Sequence, residues 1–320
     1  MKNIAVLTSG GDAPGMNAAI RAVVRIALLE KLKVFGIYNG YQGLVDNQIL
    51  PLYKKSVGNI IHRGGTILKS ARSKDFQSKE GRNKAYQNLV EHQIDAVIVI
   101  GGDGTFAGAI QFTQEFNIPF IGIPGTIDND LFGTDYTIGF KSAVQTAMEC
   151  VDKIRDTANA FKRLFFIEVM GRDVGAIALA TGIATGAEDI FIPETKTNLI
   201  DLSERLKRGT DKESYIIIVS EGDDKGGAEN IAAEFKKTHP EYDIKTLVLG
   251  HLLRGGNPTA EDRILAARLG VAAVQSLIQK EFNVMIGIQR NEIAKTPLHL
   301  CKKHFLKINE EWENLIYKLS

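Results

Sequence analysis

The chain is poor in cysteine. It has two in 320 residues, Cys150 and Cys301, far apart and without metal-ligand spacing. That excludes a disulfide scaffold and a cysteine-built metal centre, and it fits a reducing compartment. An excess of either charge is also missing. Lys+Arg 39 against Asp+Glu 38 leaves a net charge of +1, which excludes a general nucleic-acid surface and makes any anion site local. Apolar runs such as Ala96–Ile100 and Ile216–Val219 are too short to span a bilayer. No apolar leader or cleavage site precedes Ile4–Leu7, so a cytoplasmic protein without a membrane partner is expected. Nor does a Pro/Ser linker divide the chain. Two lobes that exchange chain are therefore expected, rather than beads on a string.

What is present is an ordinary core, with 44% hydrophobic and 24% charged residues, and many glycines, 31 in all. The glycines cluster just after short β-branched runs. Ile4–Leu7 leads into Thr8-Ser-Gly-Gly-Asp-Ala-Pro-Gly15 and then a helical pattern over Asn17–Leu29. Ala96–Ile100 leads into Gly101-Gly-Asp-Gly-Thr105 and the pattern Phe106–Phe116. Phe165–Val169 and Ile216–Ser220 lead likewise into glycine turns and the helical stretches Ala176–Thr185 and Ala228–Lys237. Strands alternating with helices predict α/β architecture with parallel sheets and helical crossovers. The turns differ too much to form a sequence repeat. The lysine- and glutamate-rich tail Cys301–Ser320 reads as an amphipathic surface helix.

One stretch carries paired acids. Gly125-Thr126-Ile127-Asp128-Asn129-Asp130 follows the apolar run Ile118–Pro124, so its carboxylates sit where a strand ends. Alone, Asp-Asn-Asp is most simply an Asx-rich turn. Upstream, Gly101–Thr105 lets backbone N–H groups approach a phosphate at a helix N-terminus. Asp103 is awkward there unless a cation such as Mg²⁺ bridges carboxylate and phosphate. The pattern is neither a dinucleotide fingerprint nor a Walker A loop. Cations recur beside glycines in Arg63-Gly64-Gly65-Thr66, Ser70-Ala71-Arg72, Met170-Gly171-Arg172 and His251-Leu-Leu-Arg254-Gly255-Gly256. Together these turns, arginines and acids describe phosphoryl transfer, which works by positioning and charge neutralisation.

These residues resemble a family, the bacterial ATP-dependent phosphofructokinases, nearly end to end from Leu7 to about Gln289. Gly125–Asp130 and His251–Gly256 are its specific marks. Gly101–Thr105 is shared with NAD kinases and lipid kinases, which lack the Gly-Thr-Ile-Asp-Asn-Asp run. The resemblance implies two three-layer α/β/α lobes with mostly parallel sheets and the active site in the cleft between them. The larger, ATP-binding lobe would be 1–138 plus 252–302. The smaller, sugar-phosphate lobe would be 139–251 plus 303–320. The implied reaction is ATP-dependent phosphorylation of fructose 6-phosphate at its C1 hydroxyl to fructose 1,6-bisphosphate, a committed step of glycolysis.

Roles follow from the same resemblance. Asp128 would be the general base, with Thr126 positioning the sugar, and Asp103 would hold Mg²⁺ with Asp130 nearby. Gly11, Arg72, Gly102, Gly104 and Thr105 would line the ATP site. Arg72 and Arg172 would neutralise the transferred phosphoryl group. Met170, Gly171, Glu221, His251 and Arg254 would hold the sugar phosphate. Arg163 would reach it from a neighbouring subunit, which implies self-association as a homotetramer. An effector site for ADP or phosphoenolpyruvate would gather Arg21, Arg25, Lys54, Arg155, Gly186, Glu188 and Lys212.

The chain departs from the family pattern in three places. Ser73 replaces an aromatic after the Ser-Ala-Arg motif, removing one wall of the adenine pocket while leaving Phe76 nearby. Lys245 replaces a second inter-subunit arginine, keeping the charge but losing the planar fork. The effector loop reads Asp211-Lys212-Glu213-Ser214 where a Lys-Lys-His cluster is usual. Acids there repel a bound phosphate, so regulation is expected to be weak. Two rivals stay open. A pyrophosphate user tends to carry Asp at Gly104 and Lys at Gly125, and a non-catalytic sugar-phosphate sensor would lose Asp103 or Asp128.

Overall fold

The computed structural model describes residues 1–161, 163–208 and 214–304. Its strands are β1 (Asn3–Thr8), β2 (Lys33–Ile37), β3 (Ile49–Leu52), β4 (Ala96–Gly101), β5 (Phe120–Thr126), β6 (Ile138–Gly139), β7 (Arg163–Val169), β8 (Asp189–Phe191), β9 (Tyr215–Ser220), β10 (Asp243–Val248), β11 (Val284–Gln289) and β12 (Glu292–Pro297). The helices are α1 (Met16–Leu29), α2 (Gly40–Val45), α3 (Lys79–Glu91), α4 (Asp103–Phe116), α5 (Phe140–Phe161), α6 (Ala176–Thr185), α7 (Leu199–Arg208), α8 (Ala228–Thr238) and α9 (Ala260–Ile278). They divide into two compact units. Among the described residues the first is Met1–Ile127, Leu131–Lys141 and Arg254–His304, and the second is Asp128–Asp130 and Ser142–Leu253.

The first unit is built on a sheet in the order β12-β11-β5-β4-β1-β2-β3, with β6 on β5. Its centre is parallel, and antiparallel β12 and β3 close the two edges. Strand β4, Ala-Val-Ile-Val-Ile-Gly, is buried along its whole length, as a central parallel strand covered on both faces must be. Helix α9 packs on α1, where Gly270 lets the helices close. A side-chain carbon there would lie 2.6 Å from Ala22 Cβ. Phe106 and Phe112 of α4 join Tyr41, Phe76 and Leu89 in an aromatic-rich core on the sheet. The Tyr41 and Phe76 rings stack at 4.1 Å and Phe76 and Phe112 at 5.6 Å.

The second unit has a wholly parallel sheet, β10-β7-β9-β8. Phe166, Ile217 and Val219 from the strands meet Leu202 of α7 and Phe235 of α8 in its core. Strand β10 is an edge strand and largely exposed.

Three expectations change. Residues 128–130 belong to the second unit rather than the first. Strand β5 runs on through Gly125 and Thr126, so the acidic turn starts two residues later than the apolar run suggests. The expected tail helix does not begin at Cys301. That side chain is buried at 3% exposure, and Lys303 forms an isolated antiparallel bridge with Leu131. The rest of that tail lies outside the described residues.

Candidate active site

In the first unit the strand order turns at β1 and β4. The chain leaves β1 through α1 to β2 on one side, and leaves β4 through α4 to β5 on the other. Helices leaving such a switch point go to opposite faces and open a crevice at the carboxyl ends of the strands. The parallel register brings those ends level, with Thr8 beside Ile100 and Gly101 beside Pro124. The turn after Thr8, the turn after Gly101 and Thr126 therefore leave one sheet edge side by side.

The turns are fixed by neutral partners. Ser9 N donates to Ile100 O at 3.0 Å, and Thr105 Oγ1 donates to Ser9 O at 3.1 Å. Tyr41 Oη donates to Thr105 O at 2.6 Å, and burial pushes its phenol up, so the group keeps the proton it donates. Gly101 is required by this packing. A side-chain carbon there would meet Thr105 Oγ1 at 2.3 Å and Ser9 O at 2.4 Å. Gly102 is the single residue between β4 and α4, so Asp103, Gly104 and Thr105 form the first helical turn rather than a loop. Thr105 N donates to Gly102 O at 3.0 Å, whereas the N–H groups of Asp103 and Gly104 have no carbonyl one turn back and lie at the positive end of the helix dipole. Gly104 has open space around it.

Segment 63–73 is tied to this edge. Asn17, 1% exposed, donates to Arg63 O at 3.0 Å and Gly64 O at 3.1 Å and accepts from Ile67 N at 2.7 Å. Thr8 Oγ1 donates to Lys69 O, and Ser70 Oγ donates to Gly10 O, both at 2.7 Å. Arg72 follows on the surface. Ser73 turns inward to donate to Gln42 Oε1 at 2.7 Å. Phe76 does not line the surface beside Ser73. It is 5% exposed and committed to the core between Tyr41 and Phe112. The Arg254 guanidinium lies over Gly11, where an added side-chain carbon would be 3.0 Å from Nη1. The structure thus places Arg254 beside an expected nucleotide residue.

At the end of β5, Thr137 Oγ1 donates to Thr126 O at 2.6 Å. Asn129 adopts a left-handed φ of 53°, which turns the chain sharply between Asp128 and Asp130. Asp130 is buried at 5% exposure, while Asp128 is half-buried.

The second unit assembles Met170, Gly171, Arg172 and Glu221. The Glu221 carboxylate accepts from Arg172 N at 2.9 Å and Gly171 N at 3.4 Å. Arg172 itself holds a left-handed φ of 55° with its side chain exposed. Such a backbone in a residue with a Cβ costs on the order of 1 kcal/mol and marks a constrained turn. Met170 is buried, and Ser220 Oγ, fully buried, has no hydrogen-bond partner among the described residues. His251 is exposed on the short turn Gly250–Arg254. Arg163 and Lys245 converge on one group that sequence reasoning missed, Asp243. Its Oδ2 accepts from Arg163 Nε at 2.8 Å, and its Oδ1 lies 2.9 Å from Lys245 Nζ. Only the register of β7 against β10 reveals this.

The expected effector residues fall in both units. Arg21 and Arg25 share one face of α1. Partial burial and then the Arg25 charge hold Arg21 below the usual guanidinium range. Lys54 is exposed on a short 3-10 turn, Lys54–Val57, that packs on α1. In the second unit Arg155 Nη2 donates to Thr185 O at 2.7 Å, beside left-handed Gly186. Glu188, 4% exposed, accepts from Ile216 N at 2.5 Å. Lys212 and its neighbours Asp211 and Glu213 lie outside the described residues.

Among the described residues no group of three His, Cys, Asp or Glu side chains could cage a metal. A divalent cation such as Mg²⁺ is usually carried by phosphate oxygens and water with one or two protein carboxylates. Asp103, half-buried at the start of α4, has the required chemistry.

Glycine turns at the switch point of a parallel sheet, with a carboxylate opening the adjoining helix, define an α/β phosphate-binding protein. A family profile described as phosphofructokinase matches residues 3–277, and the chain belongs to that family. It is 51% identical over 322 aligned positions to an ATP-dependent 6-phosphofructokinase 2 of Bacteroides thetaiotaomicron, covering 100% of this chain and 99% of the relative. It is 52% identical over 302 positions to an ATP-dependent 6-phosphofructokinase 1 of Thermus thermophilus, covering 93% of each. Among solved structures, phosphofructokinase from Saccharomyces cerevisiae superposes with a TM-score of 0.88 at 40% identity. That match covers 93% of this chain but only 45% of the yeast chain. A pyrophosphate-dependent phosphofructokinase from Marinobacter aquaeolei shares the fold, with a TM-score of 0.87 at 23% identity over 100% of this chain and 91% of its own.

Proposed function

We infer that the chain transfers the γ-phosphoryl group of ATP to the C1 hydroxyl of fructose 6-phosphate, yielding ADP and fructose 1,6-bisphosphate in glycolysis. One observation carries the reading. The level glycine turns after β1 and β4 form a phosphate cradle in a chain half identical, end to end, to ATP-dependent 6-phosphofructokinases.

The first unit supplies the donor residues. Gly11, Gly102 and Gly104 bind the phosphates through N–H groups and the α4 terminus, Thr105 shapes that terminus through its bonds to Gly102 O and Ser9 O, and Arg72 neutralises charge. Asp103 would hold Mg²⁺, which shields the phosphate charge when bound. Asp128 takes the C1 proton. It does so late, because the transition state is loose and the hydroxyl stays protonated until bond-making is under way. Thr126 orients the sugar. Met170, Gly171, Arg172, Glu221, His251 and Arg254 hold the acceptor, with Arg163 and Lys245 on its phosphate. The enzyme works in the cytoplasm as a homotetramer that shares Arg163 between subunits. It responds weakly to ADP or phosphoenolpyruvate through Arg21, Arg25, Lys54 and Arg155. No described helix is long and apolar enough to cross a membrane.

ATP is favoured over pyrophosphate on two grounds. Gly104 leaves the start of α4 open. At Gly125 a side-chain carbon would meet Ile100 at 2.9 Å and Met16 at 3.2 Å, so a lysine there would require these core side chains to shift. A coupled assay with fructose 6-phosphate and either ATP or pyrophosphate decides. Turnover with ATP and little with pyrophosphate is expected, and the reverse preference would overturn the donor assignment.

A further inference from the structure

We propose that Asp243 is an internal counter-anion, a carboxylate that competes with the acceptor's phosphate for Arg163 and Lys245 and so sets the affinity for that substrate. The proposal rests on the phosphofructokinase reading for the identity of the sugar phosphate. The pairing with the two cations stands independently of it.

The cluster is built by the backbone. Strands β7 and β10 pair in parallel with Arg163 beside Asp243, and neighbours in register project to the same face. Lys245 lies two residues along β10 and shares that face with Asp243. Phe161 fixes the guanidinium from one side, with its ring centroid 4.3 Å from Arg163 Cζ. Two cations and one carboxylate leave a net positive site at the exposed edge of the sheet.

Two effects of the carboxylate oppose each other. It holds two like charges together, which pre-organises them for an anion. It also occupies them, and beside a bound phosphate it repels. The hold is weak. The Arg163, Asp243 and Lys245 side chains are 26%, 48% and 45% exposed, and ion pairs so open to water contribute little. A phosphate monoester brings about two negative charges and three acceptor oxygens, and its charge-assisted bonds to Arg and Lys are among the strong ones. Repulsion from a carboxylate at similar range scales with both phosphate charges. Competition therefore exceeds pre-organisation, and Asp243 weakens substrate binding.

Asp243→Asn keeps size and an acceptor oxygen but removes the charge. The expected result is a KM for fructose 6-phosphate lowered by roughly 3- to 10-fold, with kcat within about twofold and KM for ATP unchanged. Inorganic phosphate, titrated by calorimetry, should bind more tightly by a similar factor. Asp243→Glu should behave like the wild type. In a Lys245→Ala background the gain should shrink, which a merely structural role would not produce. A KM for fructose 6-phosphate that is unchanged or raised in folded Asp243→Asn overturns the proposal. If the wild type does not phosphorylate fructose 6-phosphate, the functional reading fails instead. The phosphate titration then decides alone, and unchanged or weaker phosphate binding by Asp243→Asn overturns the counter-anion.

Discussion

The turns after β1 and β4 in the first unit and the strand-end turns of the second are secured by different chemistry. In the first, hydroxyls and carbonyls do the holding: Thr8 on Lys69, Ser70 on Gly10, Thr105 on Ser9 and Tyr41 on Thr105. In the second, carboxylates accept from the turn N–H groups: Glu221 from Gly171 and Arg172, Glu194 from Gly175, Glu168 from Ala228 and Asp223 from Lys225. An N–H group engaged by a carboxylate cannot also bind phosphate. The turn that opens α4 therefore offers backbone N–H groups to an anion, whereas at the carboxylate-held turns of the second unit recognition falls to arginine and lysine side chains. Backbone recognition suits the invariant geometry of a polyphosphate, and side-chain recognition leaves affinity open to tuning.

The strongest test of this division removes the base at the acid turn. Asp128→Ser should lower kcat by at least ~10²-fold while calorimetry finds ATP affinity unchanged, because the donor turns are untouched. Near-normal kcat would refute the assignment. The next test gives the first unit the chemistry of the second. Gly104→Asp adds a carboxylate at the start of α4, where nothing crowds the new side chain. The protein should melt within a few degrees of wild type, yet its KM for ATP should rise about 10-fold or more through like-charge repulsion. An unchanged KM would mean that phosphate does not sit on this turn.

The smallest effects separate two ion pairs, one in each unit. Arg82 grips Glu115 through two bonds of 2.7 and 2.8 Å, which hold the carboxyl below its usual range. Asp189 also has an arginine, Arg205 at 2.6 Å, but burial outweighs it and pushes the carboxyl up to about 6. The two pairs should respond oppositely to pH. A depressed carboxyl contributes stability above its unfolded pKa and loses it as pH falls through the folded value. A raised one contributes below its unfolded pKa and loses it as pH rises through about 6. Glu115→Gln should therefore cost ~1–3 kcal/mol at pH 7, a penalty that shrinks below about pH 4. For Asp189→Asn, the melting temperature relative to wild type should move a few degrees in the variant's favour between pH 4 and 7. Thermal melts across that range would show whether the slopes differ in sign.

Much of this comparison was legible in the residues. Strand, glycine turn and helix follow one another locally, so β1, β4, β7 and β9 and the helices after them could be placed within a few residues. The acid turn and its arginines were legible as chemistry. Elements without a glycine turn behind them escape such a reading, among them the antiparallel edges β3 and β12 and the helix α9 that covers α1. Side-chain direction escapes it as well. Phe76 lies close in sequence to Arg72, yet it faces the core, which only the packing of Tyr41 and Phe112 decides. Asp243 is 80 residues from Arg163, and no spacing rule connects them without strand register.

The single-residue link at Gly102 has a mechanical consequence. A helix joined to a central strand by one residue has no slack. Tyr41 pins its first turn from beneath, so α4 and the sheet move as one piece. The turn that opens α4 is an anvil rather than a jaw, and a ligand that meets it finds a surface already shaped by the sheet.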